Sequence, residues 1–364
     1  MIRKVIFILL LMGSACIDTL RIEVPEGVRR LVVDGGITNG PGPYEVKLFY
    51  TNPLSISRLT PFEMVSNAQV FIVDDQNQYF ALNETKPGVY LSDASELTGE
   101  VGRSYFVSVI TDEKEYRSFP QRLEPAGEIT DVYFEFESGG LPGNSGTRVD
   151  ALRVYVDGRG IPGEQNLLRW RWTTVHKVRA YPELETIPRL PPIPAPPPCS
   201  GYIVQGRQLI QVGECTCCIC WSYRYSEEAA VSKNDFVNAS VFNKQGVGKI
   251  PVTPWHFYDK YHIEVQQLSL SEEAYEFWSL IQKQQSGTTD LFQPNAIKIR
   301  GNMYSLQSDT EEVLGFFSVS GVTSKSFFIS REEIPYEIPI VDEQVPFSCM
   351  AYFENATNVQ PSFW

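Results

Sequence analysis

The sequence has few of the residues that enzyme and metal sites usually need. It contains three histidines in 364 residues. It also lacks the H-E-x-x-H, G-x-S-x-G, Walker and dinucleotide-binding glycine motifs. Carboxylates are plentiful, but none is set apart as a catalytic pair. The pattern therefore does not indicate an enzyme, and we expect no cofactor.

Positive charge is also in short supply. Lys and Arg total 31 against 44 Asp and Glu, which gives a net charge of −13. A body this acidic is repelled by nucleic acid and by anionic lipid headgroups. Nucleic acid is therefore excluded as a partner.

No segment reaches the eighteen consecutive apolar residues of a membrane-spanning helix. The apolar run from Val5 to Met12 is shorter; a basic pair precedes it and small residues 13–15 follow, which is the order of a secretory signal. Cys16 comes next, at the position that bacterial lipoproteins acylate. We predict a signal peptide over 1–15 and a lipid-anchored tether over 16–21, held on the outer membrane by palmitate-like chains. The alternative is an ordinary cleaved signal with a coincidental cysteine.

Residues 22–122 alternate like short antiparallel strands. Leu31 to Val33 reads as a strand ended by a Gly-rich turn, and Asp75 to Asn77 reads as a hairpin turn. Val46, Leu48 and Tyr50 share one face. About seven strands with no helix predict a β-sandwich of immunoglobulin-like or transthyretin-like type.

Residues 123–364 predict a larger β-rich domain with one helix. The stretches around 148–160 and 166–181 read as a long strand pair, with Trp170 and Trp172 on one face. The helix is predicted over 271–286, with Ser271 as its cap and an apolar face that packs on a sheet. The predicted fold is therefore all-β, mainly antiparallel, with one packed helix.

A proline-rich loop is predicted over 181–198. Its prolines exclude a hydrogen-bonded ladder and favour stiff polyproline II. The loop is either a rigid surface insertion or a strap that docks into an aromatic groove of a partner.

A cysteine cluster follows at 199–220. An even number of cysteines outside the cytosol indicates three disulfides. The candidates are Cys199, Cys215, Cys217, Cys218, Cys220 and Cys349. A zinc site is the alternative, but the adjacent Cys217 and Cys218 do not suit a tetrahedron. We expect Cys199 to close onto Cys215 and one member of the cluster to reach Cys349, and we expect no metal.

One histidine has a carboxylate on its own strand face. His262 and Glu264 are two positions apart, which is the spacing of strand neighbours on one side. They form either half of an acid–base or metal pair, as in an envelope hydrolase, or an ordinary structural contact.

The C-terminal half resembles a Bacteroidota family of outer-membrane lipoproteins described only as a domain of unknown function. The likeness lies in a helix start, a Gly-Asn turn, a strand and an aromatic terminus. These are Ser271, Ala274, Tyr275, Phe277 and Trp278; Gly301-Asn302; Val313 to Phe317; and Pro361, Phe363 and Trp364.

The resemblance implies a protein encoded beside a TonB-dependent receptor barrel. It suggests an accessory or lid-like partner in nutrient capture or import, lipid-anchored and facing either the periplasm or the cell surface, with no catalytic residues and an unknown ligand. The alternative is a structural or adhesive envelope protein that binds another protein or a glycan.

Overall fold

The computed structural model describes residues 29–51, 62–143, 146–184, 195–226, 228–234, 240–287, 299–339, 345, 347–353 and 355–364. Over these ranges the chain is mainly β-structure, arranged in four sheets with two α-helices. The predicted all-β, mainly antiparallel fold with one packed helix is confirmed. Within the same ranges, no helix has the length and apolar character needed to cross a bilayer. The predicted signal peptide, Cys16 and the tether lie outside the described residues.

Sheet A is the largest sheet. Its strands are β1 (Leu31–Thr38), β2 (Glu45–Tyr50), β3 (Glu63–Met64), β4 (Gln69–Asp74), β5 (Tyr79–Lys86), β6 (Val89–Ser92), β7 (Ser104–Thr111), β8 (Lys114–Ser118), β9 (Gln121–Arg122), β19 (Met303–Ser305) and β20 (Leu314–Ser320). The main path runs β19-β8-β7-β4-β5-β6-β2-β1-β20. Strand β20 also contacts β7, β9 and β19, so the sheet folds over one apolar core in a sandwich-like manner.

The alternation in the first hundred residues is largely as predicted. Val46, Leu48 and Tyr50 are buried together. The hairpin turn also forms as expected, because Asp74 Oδ1 accepts hydrogen bonds from the backbone N–H of Gln76 and Gln78, each at 2.9 Å.

The strand predicted from Leu31 to Val33 is too short. The strand continues through Gly35 and Gly36 to Thr38 instead of turning. A side chain at Gly35 would meet the carbonyl oxygen of Glu45 at 2.7 Å. The glycines therefore allow close strand packing here rather than marking a turn.

Two strands of sheet A come from residues that the sequence prediction assigned to the C-terminal domain. Strand β19 pairs with β8, and β20 pairs in parallel with β1. All other strand pairings that the described residues make are antiparallel. The first core is therefore completed only by chain that lies far along the sequence.

Sheets B and C enclose a second core. Sheet B has the order β10-β11-β17, and sheet C has the order β21-β18-β12-β15-β22 with β16 on β12. Their strands are β10 (Glu128–Pro142), β11 (Arg148–Arg159), β12 (Leu167–Arg179), β15 (Ile219–Tyr225), β16 (Ala230–Lys233), β17 (Val241–Pro251), β18 (Tyr261–Ser269), β21 (Val322–Ile329) and β22 (Ala356–Thr357). Sheet D is a hairpin of β13 (Tyr202–Gln205) and β14 (Gln208–Gln211).

The predicted pairing of the two long strands around 148–160 and 166–181 is wrong. Strand β11 lies in sheet B and β12 lies in sheet C. Each strand has one apolar face, and Val154 and Val156 of β11 pack with Trp170 of β12 in the same core. The strands therefore meet face to face across the core instead of edge to edge.

The long helix α1 (Glu272–Gly287) agrees closely with the predicted 271–286. The Ser271 Oγ atom accepts a hydrogen bond from the Ala274 N–H at 3.2 Å, as a helix N-cap does. The apolar face packs against Leu167 of β12 and Phe316 of β20. The helix therefore contacts strands of both sheet A and sheet C. A second, short helix, α2, spans Cys349–Tyr352.

We expect Gly315→Ala to destabilise the fold by roughly 2–4 kcal/mol. Gly315 has φ +94°, and a methyl group there would overlap the Val33 carbonyl oxygen of the paired strand. Gly206→Ala is the matched control, because Gly206 has φ +64° but no neighbour within 4 Å. Denaturant unfolding at constant m-value measures both variants. Equal losses in the two variants would contradict the steric argument.

Candidate functional site

Three disulfides join the described cysteines. They are Cys199–Cys217, Cys215–Cys218 and Cys220–Cys349. The expected closure of Cys199 onto Cys215 is wrong, because the chain bends at residues 216–218 before β15 begins and so brings Cys215 back to Cys218. The expected link from the cluster to Cys349 is confirmed, and Cys220 makes it.

The disulfides gather segments that have little secondary structure of their own. The Thr216 N–H donates to the Cys199 carbonyl at 2.8 Å, and the Cys349 N–H donates to the Cys217 carbonyl at 3.1 Å. Strand β22 adds to the edge of sheet C beside β15. One end of the second core is thus held by covalent links and backbone hydrogen bonds together.

The same segments expose large apolar side chains. We call this set the stapled surface. Its members are Ile203, Val212, Met350, Tyr352 and Val359. The Asn358 side chain donates to the Thr216 carbonyl at 3.4 Å, and the Tyr352 ring lies 5.2 Å from the Trp255 ring. Apolar side chains held outward on a rigid support are typical of interaction surfaces.

Most of the predicted proline-rich loop lies outside the described residues. Its ends at 181–184 and 195–198 are described, and they lead into the segment that carries Cys199. Leu184 at the near end is also exposed. The polyproline II prediction for the middle of the loop stays a prediction.

His262 packs against aromatic rings. Its ring stacks on Phe363 at 4.2 Å and lies 4.9 Å from Phe328. Burial lowers the pKa of His262, and the charge of Glu264 opposes this shift. Glu264 Oε1 instead accepts a hydrogen bond from the Gln266 amide at 3.2 Å. Among the described contacts, no hydrogen bond joins His262 to Glu264, so the geometry favours the structural interpretation.

Two further histidines lie side by side; His176 is buried and His256 is partly exposed. The rings of His176 and His256 stack at 4.8 Å. Nδ1 of His256 lies 2.7 Å from the Thr253 hydroxyl, whereas neither ring nitrogen of His176 has a hydrogen-bond partner among the described residues. Burial, with a contribution from Arg224, lowers the pKa of His256 to about 3. Burial also holds the pKa of His176 well below its usual range, and His256 and Arg224 add to this.

A polar cavity of about 450 Å³ opens at the strand ends of sheet A. Its charged lining is already paired: Lys114 Nζ lies 2.9 Å from Glu311, and the Tyr50 hydroxyl donates to Asp112 at 2.7 Å. Burial and the bond to Asp112 raise the pKa of Tyr50 to about 12. Because these charges satisfy one another, the lining indicates no particular ligand charge.

No group of three or more His, Cys, Asp or Glu side chains is placed to hold a metal within the described part of the chain. The six cysteines that the zinc alternative would have used are all disulfide-bonded.

Sequence reasoning missed which side chains make the stapled surface. Val359 is a single apolar residue in a polar stretch, and an isolated valine carries no periodic signal. The aromatic terminus was noted only for its resemblance, although its Phe363 and Trp364 pack on sheet C through His262, Phe328 and Trp221.

Comparison with known proteins identifies a family. Residues 17–326 match the Domain of unknown function (DUF4249). The chain therefore belongs to this family. No curated protein matches it. Among solved structures it is similar to a DUF4785 family protein from Legionella pneumophila subsp. pneumophila str. Philadelphia 1, at 10% identity and a TM-score of 0.20. That match covers 66% of this chain and 52% of the other, and at this score it carries no argument.

The three disulfides should differ in their contribution to stability. The loop-entropy relation gives about 5 kcal/mol for the Cys220–Cys349 link and less than 2 kcal/mol for Cys215–Cys218, because the separations are 129 and 3 residues. We expect Cys220→Ala with Cys349→Ala to lower the unfolding midpoint far more than Cys215→Ala with Cys218→Ala. The measurement is denaturant unfolding, and equal losses would contradict the order.

The buried histidines predict acid lability. A histidine with a lowered folded pKa stabilises the fold fully above its unfolded pKa of about 6.5, and this stabilisation is lost as pH falls. For His256, with a pKa of about 3, the loss between pH 6.5 and 5 is about 2 kcal/mol. We expect His256→Gln to flatten the stability profile in that window. An unchanged slope in the variant would show that other groups cause the pH dependence.

Proposed function

We propose that the chain is a lipid-anchored outer-membrane protein that serves as an accessory or lid-like partner of a TonB-dependent transporter barrel in nutrient capture or import. The stapled surface is the observation that carries this proposal. It offers apolar side chains on segments that disulfides and backbone hydrogen bonds constrain, and such constraint lowers the entropy cost of association.

The disulfides support the compartment in this proposal. Structural disulfides persist outside the reducing cytosol. The sequence order of basic pair, apolar run, small residues and Cys16 agrees with export and acylation. Both features are expected of an envelope protein, and they arise from different parts of the chain.

The chain between Cys16 and Arg29 limits how far the folded part can lie from the membrane. Thirteen residue steps separate Cys16 from Arg29, and an extended chain spans at most about 3.6 Å per residue. Arg29 therefore lies within about 47 Å of an acyl anchor on Cys16. This reach is short enough to keep the body beside a barrel in the same membrane.

Co-purification from detergent extracts of the native membrane tests the proposal. We expect the tagged full chain to recover a barrel that mass spectrometry identifies as TonB-dependent. Tyr352→Asp with Val359→Asp should abolish the recovery, because charge on the stapled surface opposes burial. Val101→Asp is the control, since Val101 is an exposed apolar residue on the sheet A body.

The outcomes separate the proposal from its alternative. Loss of the barrel in the Val101 variant as well, or no barrel with the native chain, contradicts a specific stapled surface. A strain that lacks the protein and takes up nutrients normally, but attaches poorly, would favour the structural or adhesive role instead.

A further inference from the structure

Two arginines on β12 lie together without an anionic partner in contact. Arg169 and Arg171 share the strand face opposite to Trp170 and Trp172. Arg171 Nε donates to the Gln266 side-chain oxygen at 2.5 Å. Arg169 makes no hydrogen bond or ion pair with any described residue, and its Nε atom is sealed from solvent. A cation in this setting carries a desolvation cost that a counter-ion would offset.

The helix holds Arg169 in place. The Arg169 guanidinium lies 3.4 Å from the centre of the Trp278 ring. The indole N–H of Trp278 is also sealed and lacks an acceptor. The stack fixes the plane of the guanidinium.

Sheet A meets α1 and β12 close to these arginines. Phe316 of β20 packs on Phe277 of α1 at 4.8 Å, and Phe316 is the register partner of Asp34 on β1. Asp34 is exposed to solvent, yet surrounding protein raises its pKa while Lys47 and Arg169 lower it. The charge of Arg169 acts on the Asp34 carboxyl, so the two groups lie within electrostatic range of each other.

Other carboxylates near the arginines are already engaged. Glu45 pairs with Lys47 at 2.8 Å, and Glu264 accepts a hydrogen bond from Gln266. Burial lowers the pKa of Arg169 to about 10, and the neighbouring Arg171 adds to this. Arg169 therefore stays charged at neutral pH, and an anion reaching it would meet a cation that no described carboxylate contacts.

We propose that the junction of sheet A, α1 and β12 binds a small carboxylate- or phosphate-bearing molecule, with Arg169 as the residue that receives its anionic group. A planar guanidinium held by a ring suits two-point hydrogen bonding to either group. Arg171 adds positive potential beside it, and Asp34 faces any bound anion and weakens its binding. This proposal does not depend on a barrel partner.

Calorimetric titration of the purified full chain tests the site. The probes are sodium phosphate and sodium succinate, each at constant ionic strength maintained with chloride. We expect saturable binding of at least one probe, and the tighter of the two identifies the preferred anionic group. Arg169→Gln should weaken that binding at least ten-fold. Asp34→Asn should tighten it several-fold, because it removes a repelling charge.

A matched control tests specificity. Arg153 also stacks on a ring, Tyr155, at 5.7 Å, but it is exposed on sheet B. Arg153→Gln should leave the affinity unchanged. The proposal is overturned if neither anion binds saturably, or if Arg169→Gln binds as the native chain does. Where Arg169→Gln does not fold, an Asp34→Asn variant with unchanged or weaker affinity overturns it equally.

Discussion

The parallel pairing of β1 with β20 is the constraint on which the arrangement of both cores depends. It joins Val32 to Leu314 and continues to Thr38 and Ser320. Through it, the strand that closes the first core directly precedes β21, a strand of sheet C. Close backbone approach makes the pairing possible, since Gly36 and Gly315 each sit where a side chain would collide with the opposite strand. The two cores are therefore linked by one stretch of chain, in which β20 completes the first sheet and β21 begins its part of sheet C.

The helix α1 occupies the space that this constraint leaves between the sheets. Its apolar side chains meet Leu167 on one side and Phe316 on the other. A hydrogen bond also joins the start of the helix to sheet A, because the Gln121 amide donates to the Ser271 hydroxyl at 2.9 Å. At one end of sheet C, disulfides reinforce the backbone hydrogen bonds of β15 and β22. The molecule therefore uses packing at its centre and covalent links at one edge.

Local features were predictable from the sequence, and long-range ones were not. Alternation placed Val46 and Leu48 inside, and the spacing of Ala274, Phe277 and Trp278 located the helix. The same alternation could not tell whether β11 and β12 pair edge to edge or face to face, because both arrangements need one apolar side. The expected Cys199–Cys215 pairing failed for a similar reason, because the bend that brings Cys215 to Cys218 has no local signal in the sequence. Alternation along β12 puts Arg169 on the face opposite to Trp170, but its neighbours come from α1 and β1, which no local pattern links.

The pairing of β1 with β20 can form only late in synthesis, because the two strands are far apart in the sequence. A polypeptide emerges with its N-terminus first, so β1 presents an open backbone edge until the segment around Leu314 follows. Unpaired edges of this kind recruit other strands and promote aggregation. Until then the first sheet lacks β20, and the amount of chain that folds depends on how well the open edge of β1 is shielded. Truncated forms that end before Leu314 would carry the exposed edge permanently.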